Sequence, residues 1–215
     1  MRMLTRQALL ALVVASAGVF FGGLLLSALR FQPYRDHGWP ALIISDIQSP
    51  EENPGHYVYS AAATAVSGAL LLPVIASLHR QLRSRHRVLT GVGTVLLTTG
   101  ACGAIAIGAL SPFPVSYDDV HVPLAFLTFI AIVSGIACHA AVLTSTAAAQ
   151  SRVVRTALRV CLTVQAALIP FLAYLYVVPD FFDGRTLFTT LAFLEWSLCV
   201  GILAMLLVLI AALDP

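Results

Sequence analysis

Six stretches of the chain are almost continuously apolar, at about residues 8–29, 57–78, 88–110, 122–147, 157–178 and 187–213, and the short segments between them hold most of the charge. A helix needs about 20 apolar residues to cross the hydrocarbon core of a bilayer, and every run reaches that length. None alternates with the period of two that a membrane β-strand shows. The pattern predicts an all-α fold: an integral membrane six-helix bundle, one transmembrane domain over residues 1–215. The first run follows Arg2 and Arg6 and contains Ala15-Ser16-Ala17, which resembles a signal-peptide cleavage site. It then continues unbroken from Gly18 to Leu29, longer than the apolar core of a signal, and is read as a retained span.

Composition agrees. Hydrophobic residues make up 59% of the 215 and charged residues 10%, against about 25% charged in an ordinary globular chain. A net charge of +2 is too weak to suggest nucleic acid as a partner. All twelve basic residues are arginine, and the missing lysine excludes a retinal protein, a Schiff-base enzyme and a Walker-type phosphate loop. No cofactor is expected. Cys102, Cys138, Cys161 and Cys199 fall inside apolar runs with no CxxC spacing and read as buried small hydrophobes.

The arginines set an orientation. Arg2, Arg6, Arg80, Arg83, Arg85, Arg87, Arg152, Arg155 and Arg159 lie at one set of span ends, and only Arg30, Arg35 and Arg185 at the other. By the positive-inside rule both termini are cytoplasmic. Eight of the ten acidic residues and all six tyrosines then fall outside, so the outer end carries the chemistry. Arg80, Arg83, Arg85 and Arg87 form a cytoplasmic cluster suited to anionic lipid headgroups or to anchoring the topology. Gly18 and Gly22, and Gly100, Ala104 and Gly108, make stripes where helices can approach closely, within one chain or across a homodimer. Pro73 and Pro170 sit inside spans, where they would bend the helices.

Glu195 is the sharpest chemical signal. A charge inside a span costs about 3 kcal/mol on insertion scales, so it should face the bundle interior and have a partner or be protonated; His121, or a serine or tyrosine hydroxyl, is sterically in range. The first outer loop carries Ser45, Asp46 and Glu51 between Pro40, Pro50 and Pro54, which restrict its freedom. The second ends in Asp118-Asp119-Val120-His121, where the acids suit a helix N-terminus. His139 and Gln165 lie deeper and read as helix-to-helix hydrogen-bonding groups. No paired metal spacing, serine elbow or Cys–His spacing appears, so no metal is expected.

Three segments, Ile44-Ser45-Asp46 with Pro50-Glu51, Phe113 with His121 and the following Ala125 to Phe129, and Glu195-Trp196, resemble in order the DRAM-type family of damage-regulated autophagy modulators. That family takes in the suppressor-of-four-kinase proteins, the fibroblast-growth-factor-receptor-activating protein, GPI-anchor lipid-remodelling proteins and related prokaryotic six-span proteins. The chain departs from its pattern in the apolar approach Ile43-Ile44 and in Val122-Pro123-Leu124 after the histidine. The resemblance implies a role in membrane-lipid organisation or remodelling and brings no catalytic residues with it.

The residues themselves point to a polar pocket opening to the outer leaflet that engages a lipid or lipid-like headgroup, with Asp46, His121 and Glu195 in the pocket and Ser45 and Glu51 positioning the loop over it. A membrane-embedded lipid hydrolase or acyl-transfer enzyme and a proton-coupled transporter stay open as alternatives, as does a purely structural partner protein. The absence of lysine points to a GC-rich genome and so to a prokaryotic plasma membrane.

Overall fold

The computed structural model describes residues 4–32, 43–111, 117–146, 152–177 and 191–213. The expected roles of Pro40 and of the second outer loop fall on 33–42 and 112–116, outside the described residues, and the side chains of Asp118 and Asp119 do too. Helices account for every regular element among the described residues: α1 Arg6–Ala28, α2 Ile44–Gln48, α3 Tyr57–Leu82, α4 Arg87–Leu110, α5 Tyr117–Thr146, α6 Arg152–Val177 and α7 Leu191–Ala211. This is what lipid demands, because a helix satisfies its own backbone where no water can.

Five of these, α1, α3, α4, α5 and α7, are long and apolar enough to cross a membrane. The further long helix, α6, runs 26 residues and carries Arg152, Arg155 and Arg159 near its start. Both α5 and α6 begin five residues before the apolar runs that announced them, taking polar residues into their first turns. Pro123 lies inside α5, two residues after His121. Polar side chains fix two starts: Thr5 Oγ1 accepts from the Ala8 N–H at 3.2 Å, and His86 Nδ1 from the Leu89 N–H at 3.1 Å.

The helices α1, α3, α4, α5 and α7 close into a ring, each packed on the next, and α6 braces the ring from outside against α5 and α7. At one end Leu4, Leu82, Leu89, Leu158 and Leu213 join a single apolar core, so both helical termini share the end that holds the Arg80–Arg87 turn. A smaller apolar cluster of Leu24, Ala28, Phe31, Ile44 and Ile47 occupies the opposite end and seats α2 on α1.

Lipid tails are as apolar as leucine, so close packing and hydrogen bonds must hold such helices together. Gly23 lies against Ala63 and the Tyr59 carbonyl, and Gly108 against Ala61 and Ala65. Gly100 meets Ile132, and Gly68 lets the Ala101 carbonyl come within 2.7 Å of where a Cβ would stand, beside Ala104. The Gly100, Ala104 and Gly108 stripe is thus taken up by contacts within the chain. Gly18 and Gly22 are different: nothing lies within 4 Å of a Cβ at either. Between α1 and α3, Ser16 and Ser67 share a hydrogen bond of 2.7 Å, and Ser27 donates to the His56 carbonyl at 2.7 Å while accepting from the Ser60 N–H at 3.0 Å.

Candidate functional site: a cavity under a carboxylate-held helix

The first backbone N–H groups of any helix lack partners within it. In α2 the residue before the first turn is Ile43, whose side chain makes no capping bond. Glu195 of α7 supplies the acceptor from across the bundle. Its Oε2 accepts from the Ile44 N–H at 2.6 Å and from the Ser45 N–H at 3.4 Å, and its Oε1 accepts from the Ser45 hydroxyl at 3.3 Å. A carboxylate here satisfies several donors at once and complements the positive end of the helix. Among the described residues, the first-loop segment supplies a partner that the buried charge required.

The other end of α2 is tied to α3. The Ile47 carbonyl accepts from Asn53 Nδ2 at 3.0 Å and from the Ser60 hydroxyl at 3.3 Å. Gln48 Nε2 donates to Thr64 Oγ1 at 2.7 Å, and that hydroxyl in turn donates to the Ser60 carbonyl at 2.8 Å. Five residues of helix therefore span the ring from α7 to α3 while resting on α1. Trp196, next to Glu195, stacks on Phe21 at 5.9 Å and fixes α7 against α1 at the same level.

Beneath α2 the ring lines a partly open cavity of about 150 Å³. Its outer end is polar, lined by Ser45, Gln48, Thr64, His121 and Glu195. Going inward the wall is mostly apolar, with Val13, Leu71, Ile132, Leu203 and Leu206, and also carries the paired hydroxyls of Ser16 and Ser67. From His121 to Ile132 along α5 is eleven residues, or about 16 Å of helix. Thr128, on the same wall, is buried, and its hydroxyl finds no partner among the described residues.

The structure thus brings Ser45, His121 and Glu195 to one cavity. Asp46 stands half-buried on the first turn of α2 and is not among the lining residues. Glu51 is exposed. The turn it occupies is held by Ser49, whose Oγ accepts from the Glu51 and Glu52 N–H groups at 3.2 and 3.3 Å. Gln48 and Thr64 were not singled out by the sequence, although Ser45 and Gln48 sit three apart, one helical turn, in the same short segment. Of the deeper groups, His139 Nδ1 bonds the Gly135 carbonyl at 2.8 Å and Gln165 Nε2 the Ser197 carbonyl at 3.3 Å; neither residue lines the cavity. At the far end Arg83 and Arg87 are exposed and Arg80 donates to the Ala76 carbonyl at 3.3 Å, placing the basic cluster opposite the cavity's polar end. Among the described residues no three His, Cys, Asp or Glu side chains gather as metal ligands.

The family model for the Frag1/DRAM/Sfk1/Cwh43P N-terminal domain matches residues 7–215. The chain belongs to that family. The match runs from α1 through α7, so the α2 segment, His121 and Glu195 all lie within the Frag1/DRAM/Sfk1 domain, which this chain builds as a bundle of membrane-spanning helices. No curated protein and no solved structure matches the chain.

Proposed function

We propose that this member of the Frag1/DRAM/Sfk1 family engages a lipid or lipid-like molecule, its headgroup in the polar outer end of the cavity and its chain along the apolar wall, and serves membrane-lipid organisation or remodelling. The observation that carries the reading is the grading of one cavity from a polar ceiling at Ser45, Gln48, His121 and Glu195 to a mostly apolar shaft below it. In this reading the protein sits in a prokaryotic plasma membrane with both termini cytoplasmic, and the arginines from Arg80 to Arg87 rest on the inner-leaflet headgroups. Asp46 and Glu51 then belong to the outer face of the α2 cover.

The other readings find less support. A hydrolase that used Glu195 as its base would need that carboxylate free, and both Glu195 oxygens already accept hydrogen bonds from α2. A transporter would need the polar path to continue inward through His139 and Gln165, which stand outside the cavity wall.

The test is native mass spectrometry of the full chain purified in mild detergent, with Ala125→Phe and Ala17→Phe filling the cavity from facing helices. A bound lipid that is lost in both variants is the expected result. A lipid complement unchanged by both would refute the reading.

A further inference from the structure

Resting on that reading, we propose that the occupant is recognised as a hydrogen-bond donor: its polar part carries at least two O–H or N–H groups, received at two levels by a strip of acceptors on the α1–α3 side of the cavity. The strip consists of Gln48, Thr64, Ser67 and Ser16, all of which line the cavity. The hydroxyl protons of this strip are committed within the protein. Thr64 Oγ1 donates to the Ser60 carbonyl at 2.8 Å, so toward Gln48, at 2.7 Å, it can only accept. That turns the amide nitrogen of Gln48 to Thr64 and its carbonyl oxygen away. Further in, Ser16 Oγ donates to the Ser67 carbonyl at 3.1 Å, and the 2.7 Å bond between the two hydroxyls then takes the Ser67 proton. What remains on the strip is a set of lone pairs, on Gln48 Oε1 and on the Ser16 and Ser67 oxygens, beside one spare N–H of Gln48.

Gln48 carries the argument furthest. It is only 3% exposed, and its Oε1 accepts from no group among the described residues. The buried side-chain atoms walled off without a partner are Thr128 Oγ1, His139 Nε2 and Gln165 Oε1. Gln48 Oε1 is not one of them, because it opens on the cavity. An acceptor held inside a membrane bundle and left unanswered is costly, so it calls for a donor from whatever fills the space. Ser67 lies three residues beyond Thr64 along α3, about 4.5 Å, so the two levels stand within reach of one polyol or hydroxy-amide head. A bare ester, an ether or a hydrocarbon end has no proton to give and would leave both levels unanswered. Ser45, His121 and Glu195 take no part in this selection.

The inference is tested by native mass spectrometry and thermal stabilisation of the delipidated full chain with three oleoyl probes. These are 1-oleoylglycerol, with two O–H groups; N-(2-hydroxyethyl)oleamide, with one O–H and one N–H; and the 2,3-dimethyl ether of 1-oleoylglycerol, with none. At least one donor probe should bind about tenfold or more tighter than the ether, which is ~1.4 kcal/mol, and the tighter of the two names hydroxyl or amide as the source. Two double variants, Gln48→Leu with Thr64→Val and Ser16→Ala with Ser67→Ala, remove one level each together with its partner. Each should cut that preference at least about threefold while leaving the affinity for the ether unchanged. The ether binding as tightly as both donor probes, or a preference that neither double variant reduces, overturns the inference; a preference reduced by only one of them overturns the two-level claim. In each of these cases loss of all binding in Ala125→Phe and Ala17→Phe would leave the lipid cavity itself standing. Binding of no probe, or binding untouched by either filling variant, removes the cavity reading together with the inference.

Discussion

Truncating Glu195 to alanine should release α2 from α7, and the cost of that release can be worked from the three bonds it makes to α2 among the described residues. The Ile44 N–H bond is short, at 2.6 Å, and charge-assisted, a kind worth about 1.5–3 kcal/mol. The two bonds to Ser45, at 3.4 and 3.3 Å, are long and together add about 1 kcal/mol. Ile44 is buried, so its orphaned N–H has no ready route to water. The total is about 2.5–4 kcal/mol, which for a chain of this length moves the melting temperature down by roughly 5–16 °C. Glu195→Gln keeps an amide oxygen for the Ile44 N–H but loses the charge and the second acceptor oxygen, which faced the Ser45 hydroxyl, for about 1–2 kcal/mol and roughly 2–8 °C. Thermal unfolding of the full chain in detergent reads the two shifts. Hydrogen exchange of the 44–48 amides reads the local opening that separates a freed α2 from a general loss of stability. Equal melting shifts in the two variants, or unchanged exchange at 44–48 in Glu195→Ala, would refute the latch.

Three further outcomes follow from the same geometry. Thr64→Val and Gln48→Leu should each destabilise by about 1–3 kcal/mol, because each strands a buried partner, while the double variant should recover most of the loss; a double-mutant cycle in thermal unfolding measures the coupling. Gly23→Leu should cost about 1–3 kcal/mol or more by driving α1 off Ala63 and Tyr59, whereas Gly18→Leu, with open space at its Cβ, should stay within about 0.5 kcal/mol of the parent; the same unfolding assay compares them. Replacing Arg80, Arg83, Arg85 and Arg87 by glutamine should lower the fraction of chains whose C-terminal reporter is cytoplasmic, and a C-terminus found outside in the unmodified chain would reverse the assigned orientation.

How much of this was legible in the sequence follows from where each signal resides. Apolar runs and arginine placement are local or additive, so the long helices and their common end for both termini could be read directly. Glu195 could be marked as needing a partner because a charge in a span is costly wherever it sits. Its actual partner was harder to see. The donors are two backbone N–H groups and a hydroxyl of a five-residue helix more than 140 positions away, and a backbone donor leaves no mark in a sequence. Ile44-Ser45-Asp46 read as loop chemistry, with Asp46 as the acidic ligand; as a helix the segment instead turns Ser45 and Gln48 to the cavity and leaves Asp46 off its wall. The two small-residue stripes looked alike in sequence, and only the packing of α4 between α3 and α5 separates the one that is used inside the chain.

The latch also explains why a carboxylate is worth its insertion cost of about 3 kcal/mol. A short helix laid across the end of a membrane bundle exposes N–H groups at a level where water is scarce, and each one left unpaired costs a comparable amount. Glu195 offers two oxygens to three donors, which a serine or glutamine at the same place could not match. The same saturation constrains the chemistry. To act as a base, Glu195 would have to leave Ile44 and Ser45, and the cover would lift whenever it did. Catalysis at this site would therefore require α2 to open, and a variant that loosened α2 with Glu195 still in place would turn over faster. A holding site predicts the opposite, since Glu195→Ala would then lose its lipid as the 44–48 amides begin to exchange.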